Sequence, residues 1–416
     1  MNFTEIKKIY SNNKKVASNY FHMTALQIIN SFFYILIYPF VINHVGIESF
    51  GLYVFASSIA AYFMVFINFG FDMHATKLIS LEPNNKTLHS SLLSLITLSK
   101  LLLGLISILI FCIILFSFSF LNYNWQTFLL CFANAASCVF LPTWYFHGMQ
   151  KMKVLTTIQL IFKLLSLPAI YILVKDSTDI GWYAFSVVSA NILSSVAAFI
   201  IAARLIQSKL PIPTFRDVKC ILHEVQPFFW SSAANTLKQR SIEIIIGSMF
   251  GMREIAIYDL ANKIFSVPSL IASNINAALF PVMVKNVNKK LIGRIVKIEV
   301  FIASLCVASV ALIGNWVVDL VSIHDMRESY YLSILLSLNI TTYLVVSSYI
   351  YFVFVPYKKY NFVLKNQLLS LVSFFTLCII YLSLHWSIYA VVLALVSSAA
   401  LEILYTLYLV GKIKDY

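Results

Sequence analysis

The reading of the chain is decided by residues 227–281, PFFWSSAANTLKQRSIEIIIGSMFGMREIAIYDLANKIFSVPSLIASNINAALFP. Two apolar runs, Pro227–Phe250 and Ile255–Phe280, are each long enough as helices to cross a hydrocarbon core about 30 Å thick at about 1.5 Å per residue. Each also carries charge: Lys238, Arg240 and Glu243 on the first, Asp259 and Lys263 on the second. A charge turned to lipid at mid-bilayer costs at least about 2.5–3.5 kcal/mol. These side chains must therefore face other helices, acidic partners or water, which makes the stretch the candidate site.

The pattern extends outward in both directions. Of 416 residues, 60% are hydrophobic and 11% charged, with a mean hydropathy of +0.85. That leaves too little polar surface to coat a water-soluble globule of this size. Spanning windows fall at Val16–Ile42, Phe50–Phe69, Leu92–Phe120, Trp125–Phe146, Leu155–Val174 and Trp182–Ile206. They resume at Pro227–Phe250, Ile255–Phe280, Ile295–Ile323, Tyr330–Val355, Phe362–Leu384 and Trp386–Val410. The expectation is an all-α polytopic membrane protein of twelve transmembrane helices.

Charge sets the orientation, because cytoplasmic loops hold the Lys and Arg excess. Twenty-two of these residues lie in alternate loops and at the two ends, whereas the opposite loops hold only Lys175, Arg253 and Arg327. Both termini are expected in the cytoplasm. The net charge of +13 is thereby a matter of topology, and no nucleic-acid partner is expected. Met1–Lys15, with Phe3, Ile6, Ile9 and Tyr10 against Lys7, Lys8, Lys14 and Lys15, reads as a surface-lying helix or a basic tail. No cleavable signal peptide is expected there.

An internal repeat appears at an offset of 205 residues: Gly46, Phe50, Tyr53, Ala56 and Ile59 align with Gly251, Ile255, Tyr258, Ala261 and Ile264. Six spans separate the copies, so the halves share one orientation. The domains expected are a cytoplasmic segment 1–15, a six-span lobe 16–206, a basic connector 207–224, a second six-span lobe 225–411 and a tail 412–416. The two pseudo-symmetric lobes would enclose a central cleft.

Beyond those counted to loops and ends, five cations remain, all within spans: Lys100, Lys163, Lys238, Arg240 and Lys263. Arg240 with Glu243, and Asp259 with Lys263, are spaced to share a helix face, so Glu243 and Asp259 are candidates for ion pairing or for coupling to protons or Na⁺. With Glu402 the intramembrane balance reads as five positive and three negative. Lys238 and Arg240 are about 200° apart around the helix, so both cannot face one cavity, and Lys238, with no acidic partner on its own helix, is favoured. These cations either fix packing by snorkelling and pairing or, taken together from both halves, suit an anionic ligand such as a phosphate. Trp144, Tyr145 and Trp230 are candidates to stack on sugar rings or to anchor span ends at the interface.

With these features in place, the chain resembles polysaccharide repeat-unit flippases of the MOP exporter superfamily. The residues carrying the resemblance are Gly46–Tyr53 (GIESFGLY), Asn68–Asp72 (NFGFD), Leu141–Lys153 (LPTWYFHGMQKMK) and Gly251–Val267 (GMREIAIYDLANKIFSV). The family's P-x-W-aromatic-x-Q-G run is matched by Pro142, Trp144, Tyr145 and Gly148, with His147 where glutamine is common, and Lys263 falls where relatives often carry a basic residue. The resemblance implies an undecaprenyl-pyrophosphate-linked oligosaccharide as substrate, moved across a bacterial inner membrane for O-antigen or other surface polysaccharide, with membrane lipid and a polysaccharide polymerase complex as partners.

Two alternatives stand beside it: a cation-coupled multidrug antiporter of the same superfamily, and a membrane polysaccharide polymerase or acyltransferase. The positive interior argues against the first. Short outer loops argue against the second, the richest being Ile323–Ser329. No GxGxxG, GxxxxGK or HExxH occurs, so neither an ATP nor a zinc site is expected. Five of the six cysteines, Cys112, Cys131, Cys138, Cys306 and Cys378, lie in apolar runs and Cys220 in the connector, without CxxC spacing, so no disulfide, metal or other cofactor is expected. With only eleven glycines, close helix contacts would fall to Ser and Ala.

Overall fold

The computed structural model describes residue 33 and residues 37–283, 289–321, 326–357 and 359–413. Met1–Lys15 and all but the end of the first expected span lie outside the described residues. Within them the secondary structure is helical. Among the described residues eight helices are long and apolar enough to cross a membrane: Ile47–Asn68, Lys86–Ser117, Met152–Leu173, Ile180–Ile206, Lys289–Val321, Glu328–Phe354, Asn361–Leu384 and Ile388–Gly411. Two further long helices, Phe215–Met249 and Met252–Met283, hold the charged residues of the opening stretch.

Several helices outrun their apolar windows. Phe215–Met249 has 35 residues, about 52 Å against a core of about 30 Å, so its first turns, with Arg216, Lys219 and Glu224, belong to the polar connector. Its start is capped by a reciprocal pair: Asp217 accepts from the Thr214 amide and hydroxyl at 2.9 and 2.7 Å, and Thr214 Oγ1 accepts from the Asp217 amide at 3.3 Å. Such a box satisfies donors that a helix N-terminus leaves open. The hydrogen bonds also hold the Asp217 carboxyl below its ordinary range.

The chain divides into two compact units. The first comprises His44–Arg240; the second comprises Ser241 onward together with residues 33 and 37–43. In the first unit, Gly46 at φ +87° precedes the Ile47–Asn68 helix; in the second, Gly251 at φ +116° precedes Met252–Met283. The sequence repeat therefore starts with a glycine at positive φ in both copies, followed by buried Phe50 and Ala56 in one and buried Ile255 and Ala261 in the other.

Two helix breaks in the first unit position its site. After Asn68 the chain turns through Phe69 and Gly70, both at positive φ, and resumes as Phe71–Leu81. The expected span Trp125–Phe146 is also divided, into Trp125–Ala136, a 3₁₀ turn Ser137–Phe140 and a short helix Thr143–Gly148. Pro142 is the cause. It has no N–H to donate, and it holds Leu141 extended, at ψ 102°.

Small hydroxyl residues do pack the interior. Ser58, Ser99, Ser107, Ser333, Ser337 and Ser398 are fully buried. Each satisfies itself by donating to a carbonyl three or four residues earlier on its own helix, which lets a polar group sit in an apolar wall.

Candidate functional site

Lys100 is the most enclosed of the candidate cations. On the Lys86–Ser117 helix it is 1% exposed, its ammonium 3.3 Å from the Cys138 carbonyl and 3.9 Å from Asp72 Oδ1. The geometry follows from both breaks. Cys138 lies four residues before Pro142, which has no N–H to offer it, so its carbonyl takes the Leu141 amide at 3.3 Å instead and keeps a lone pair for Lys100. Asp72 is in the first turn of the Phe71–Leu81 helix, where the helix dipole favours an anion. Lys100 thus adds a second donor to a carbonyl at one break and neutralises a carboxylate held at the other.

The remaining motif residues of this unit pack those breaks together. Gly148 presses on Ile79, where a β-carbon would fall 2.8 Å from the Ile79 side chain, and Thr76 Oγ1 donates to the Trp144 carbonyl at 3.3 Å. Trp144, Tyr145 and Phe146 are all buried in the core with Phe71, Ile79, Leu155 and Val225. This corrects the sequence reading of Trp144 and Tyr145. They neither stack on a sugar nor anchor at an interface here, because the Pro142 break turns them inward. Trp230 is 62% exposed, beside Phe229 at a ring separation of 5.1 Å.

In the second unit, Asp259 and Lys263 come together as their spacing predicts. Lys263 Nζ is 3.8 Å from Asp259 Oδ1, while the Tyr38 hydroxyl donates to Asp259 Oδ2. Tyr38 and Asp259 are both buried. The carboxylate is shared between an ammonium on its own helix and a phenol from the distant helical residues 37–45.

The other candidates are placed separately. Lys163 is half-buried on Met152–Leu173; Lys238 and Arg240 are half-buried on Phe215–Met249, and Glu243 on the same helix is buried. Glu402 accepts from Ser370 Oγ at 2.6 Å and from Asn366 Nδ2 at 3.3 Å.

Two carboxylates enter that sequence reasoning left out. Asp72 partners Lys100, and its signal was an acid directly after a Gly-containing break. Glu299 is 1% exposed on Lys289–Val321. It lies on the stripe Ile292, Glu299, Ala303, Val310, Gly314, every member of which is buried, so its spacing from apolar neighbours pointed inward. Counting Glu299 lowers the positive excess read from the sequence. Among the described residues no group of three or more His, Cys, Asp or Glu could hold a metal ion. Just past the divided span, burial holds the His147 imidazole below its ordinary value against the opposing pull of Asp72.

Comparison with known proteins adds to this geometry. The family model described as "Polysaccharide biosynthesis protein" matches residues 16–287. A protein of Escherichia coli (strain K12) named "Putative O-antigen transporter" is 26% identical over 275 residues, 65% of this chain and 65% of its own length. One of the same name from Shigella dysenteriae is 22% identical over 252 residues, 61% of this chain and 63% of its own. The match therefore spans less than two thirds of these relatives. Among solved structures, the inward-facing conformation of a multidrug resistance MATE family transporter of the MOP superfamily superposes with a TM-score of 0.65 at 13% identity, covering 94% of this chain and 96% of that one. Its outward-facing counterpart gives 0.54 at 16% identity, over 95% and 96%. At such identities the likeness speaks for the fold alone.

Proposed function

We propose, because this chain belongs to the polysaccharide biosynthesis protein family, that it is a flippase carrying undecaprenyl-pyrophosphate-linked oligosaccharide repeat units across a bacterial inner membrane by alternating access. The supporting observation is a combination: a chain matched by sequence to polysaccharide biosynthesis proteins folds like a transporter. The first property suggests the class of cargo and the second the kind of work.

In this reading the chain has twelve spans in two six-helix lobes with both termini cytoplasmic, and supplies surface polysaccharide assembly such as that of O-antigen. The pyrophosphate is the charged part of the cargo and needs cations where bulk water is absent. Lys238, Arg240, Lys263 and Lys163, half-buried on their helices, are the residues assigned to meet it, Lys238 and Lys263 foremost. Lys100, enclosed between Asp72 and Cys138, holds the fold of the first unit instead. Asp259 sets the charge next to Lys263, and Glu243 lies three residues from Arg240. The polyprenyl tail stays in lipid, and a polysaccharide polymerase complex receives the product.

The test uses Lys238→Ala and Lys263→Ala in a host that lacks its own copy of the transporter. Surface glycan should be lost and lipid-linked units should accumulate inside, with membrane levels of protein unchanged. Normal glycan with both variants would remove the assignment. The multidrug transporters among the fold neighbours favour a second reading, cation-coupled drug export. It predicts drug resistance on overproduction and no change in surface glycan on deletion.

A further inference from the structure

Glu299 is a buried acid that the proposed cargo pathway does not use. Its surroundings are specified atom by atom. Ser348 Oγ lies 2.6 Å from Glu299 Oε2 and 3.1 Å from Asn276 Oδ1, while Asn276 Nδ2 donates to the Leu344 carbonyl at 3.1 Å. Asn276 and Ser348 are fully buried, the Asn276 side chain is also a polar neighbour of the Glu299 carboxyl, and Glu299 Oε1, also buried, has no partner at hydrogen-bond geometry.

Counting protons identifies the state of this group. The Asn276 amide spends a donor on Leu344 and so presents its oxygen, an acceptor only, to Ser348. A hydroxyl has one proton, yet Ser348 stands between two acceptors if Glu299 is ionised. One contact would then be oxygen against oxygen with nothing between. With a proton on Glu299 Oε2 the chain closes in one direction: Glu299 donates to Ser348, Ser348 to Asn276, Asn276 to Leu344. Oε1 becomes a neutral carbonyl oxygen, far cheaper to leave bare in an apolar wall than half of a carboxylate.

Charge in the neighbourhood agrees. On its own helix, Lys297 is exposed and, two residues away, about 200° around the axis; Lys289, Lys290 and Arg294 are exposed toward the helix start. The packed Met252–Met283 helix brings Asn276; of its charged groups Arg253, Glu254, Asp259 and Lys263, the nearest along the chain, Lys263, is thirteen residues from that position, about 20 Å along the axis. The packed Asn339–Tyr349 helix brings the Tyr349 phenol within electrostatic reach of Glu299, and its other titratable group is Tyr343. The Glu328–Ser337 helix carries Glu328, Tyr330 and Tyr331, and Tyr330 bonds the Ala311 carbonyl three turns from Glu299. Among the described residues no cation stands within ion-pair distance of Glu299.

From this geometry we propose that Glu299, Ser348 and Asn276 form a proton-binding site, occupied in this conformation and emptied when the second unit opens it to water. On release the Oε2–H bond breaks, its electron pair stays on the carboxylate and the proton passes to water. The 2.6 Å between Glu299 Oε2 and Ser348 Oγ is the length of a short charge-assisted or acid hydrogen bond. The site stands independently of what the protein carries.

Infrared difference spectra of the purified full chain in lipid nanodiscs, alkaline minus neutral, test it. The wild type should lose a protonated carboxylic-acid carbonyl band and release about one proton per molecule more than Glu299→Gln to a pH dye. Glu299→Gln should abolish the band and Ser348→Ala should shift it, since its hydrogen-bond acceptor is gone. Sodium at constant pH should leave the band in place. Identical bands in wild type and Glu299→Gln would overturn the proposal, as would loss of the band on adding sodium. Should Glu299→Gln fail to accumulate, an unshifted band in Ser348→Ala would overturn it alone.

Discussion

A β-carbon placed on Gly70 would lie 2.7 Å from the backbone nitrogen of Phe229. The Phe69–Gly70 break and the Phe215–Met249 helix meet at a glycine because nothing larger fits. The Phe69 and Phe229 rings stack beside the contact at 4.4 Å.

Gly70→Ala should therefore be among the most damaging single-methyl additions in the protein. Gly70 sits at φ +79°, where an L side chain costs about 1–2 kcal/mol, and overpacking adds about 1–3 kcal/mol. Thermal unfolding in detergent should show a clear loss of stability. A melting temperature equal to wild type would mean that the two segments do not touch there.

Removing the Lys100 charge should leave Asp72 and the Cys138 carbonyl without their cation. Breaking a buried pair costs about 3–5 kcal/mol, and Lys100→Met should approach that. Asp72→Asn should cost less, because the Asp72 side chain is 40% exposed and water screens it. The double variant should be less unstable than the two losses added together. Strict additivity in a double-mutant cycle would show that the residues do not interact.

Tyr38→Phe tests the second unit. It deletes the hydroxyl that donates to Asp259, and a buried hydrogen bond to a charged group contributes about 1.5–3 kcal/mol. Stability should fall by about that amount in wild type and by little in an Asp259→Asn background. Equal losses in both backgrounds would assign the effect to packing instead.

His147 predicts an acid-side weakness. Burial depresses its proton affinity in the folded state, so the unfolded chain binds that proton more readily. The stability this supplies is fully present above the ordinary imidazole value of about 6.5 and is lost as pH falls through that value toward the lower folded one. His147→Gln should flatten stability across this window and leave it unchanged above. An unaltered acid profile would show that the imidazole is solvated.

Thiol labelling checks burial and orientation together. Cys220 is exposed, whereas Cys131, Cys138 and Cys378 are buried. In intact native membranes a membrane-impermeant maleimide should reach Cys220 in inside-out vesicles and not in right-side-out ones, and the three buried thiols should react only after denaturation. Labelling of Cys220 from outside would reverse the proposed topology.

Much of the architecture was legible along the chain. Apolar windows marked the helices because each must satisfy its own backbone in lipid, and both copies of the Gly46 and Gly251 repeat begin with a glycine at positive φ. The Asp259–Lys263 pair was legible because its members are four residues apart on one helix. The division of Trp125–Phe146 at Pro142, and with it the burial of Trp144 and Tyr145, was missed. A hydropathy window averages over the one residue that stops the helix.

The sequence by itself determined that this is a helical membrane protein of the polysaccharide biosynthesis family, and which charged residues lie in apolar segments. Only the tertiary structure decided which of those charges are enclosed and by what. Lys100 answers to Asp72 and Cys138, Asp259 to Tyr38 across 221 residues, and Glu299 to Ser348 and Asn276. Helix formation is local and is written in composition and period. Neutralisation of a buried charge is settled by atoms that distant segments bring within 3–4 Å, and spacing along the chain does not carry that information.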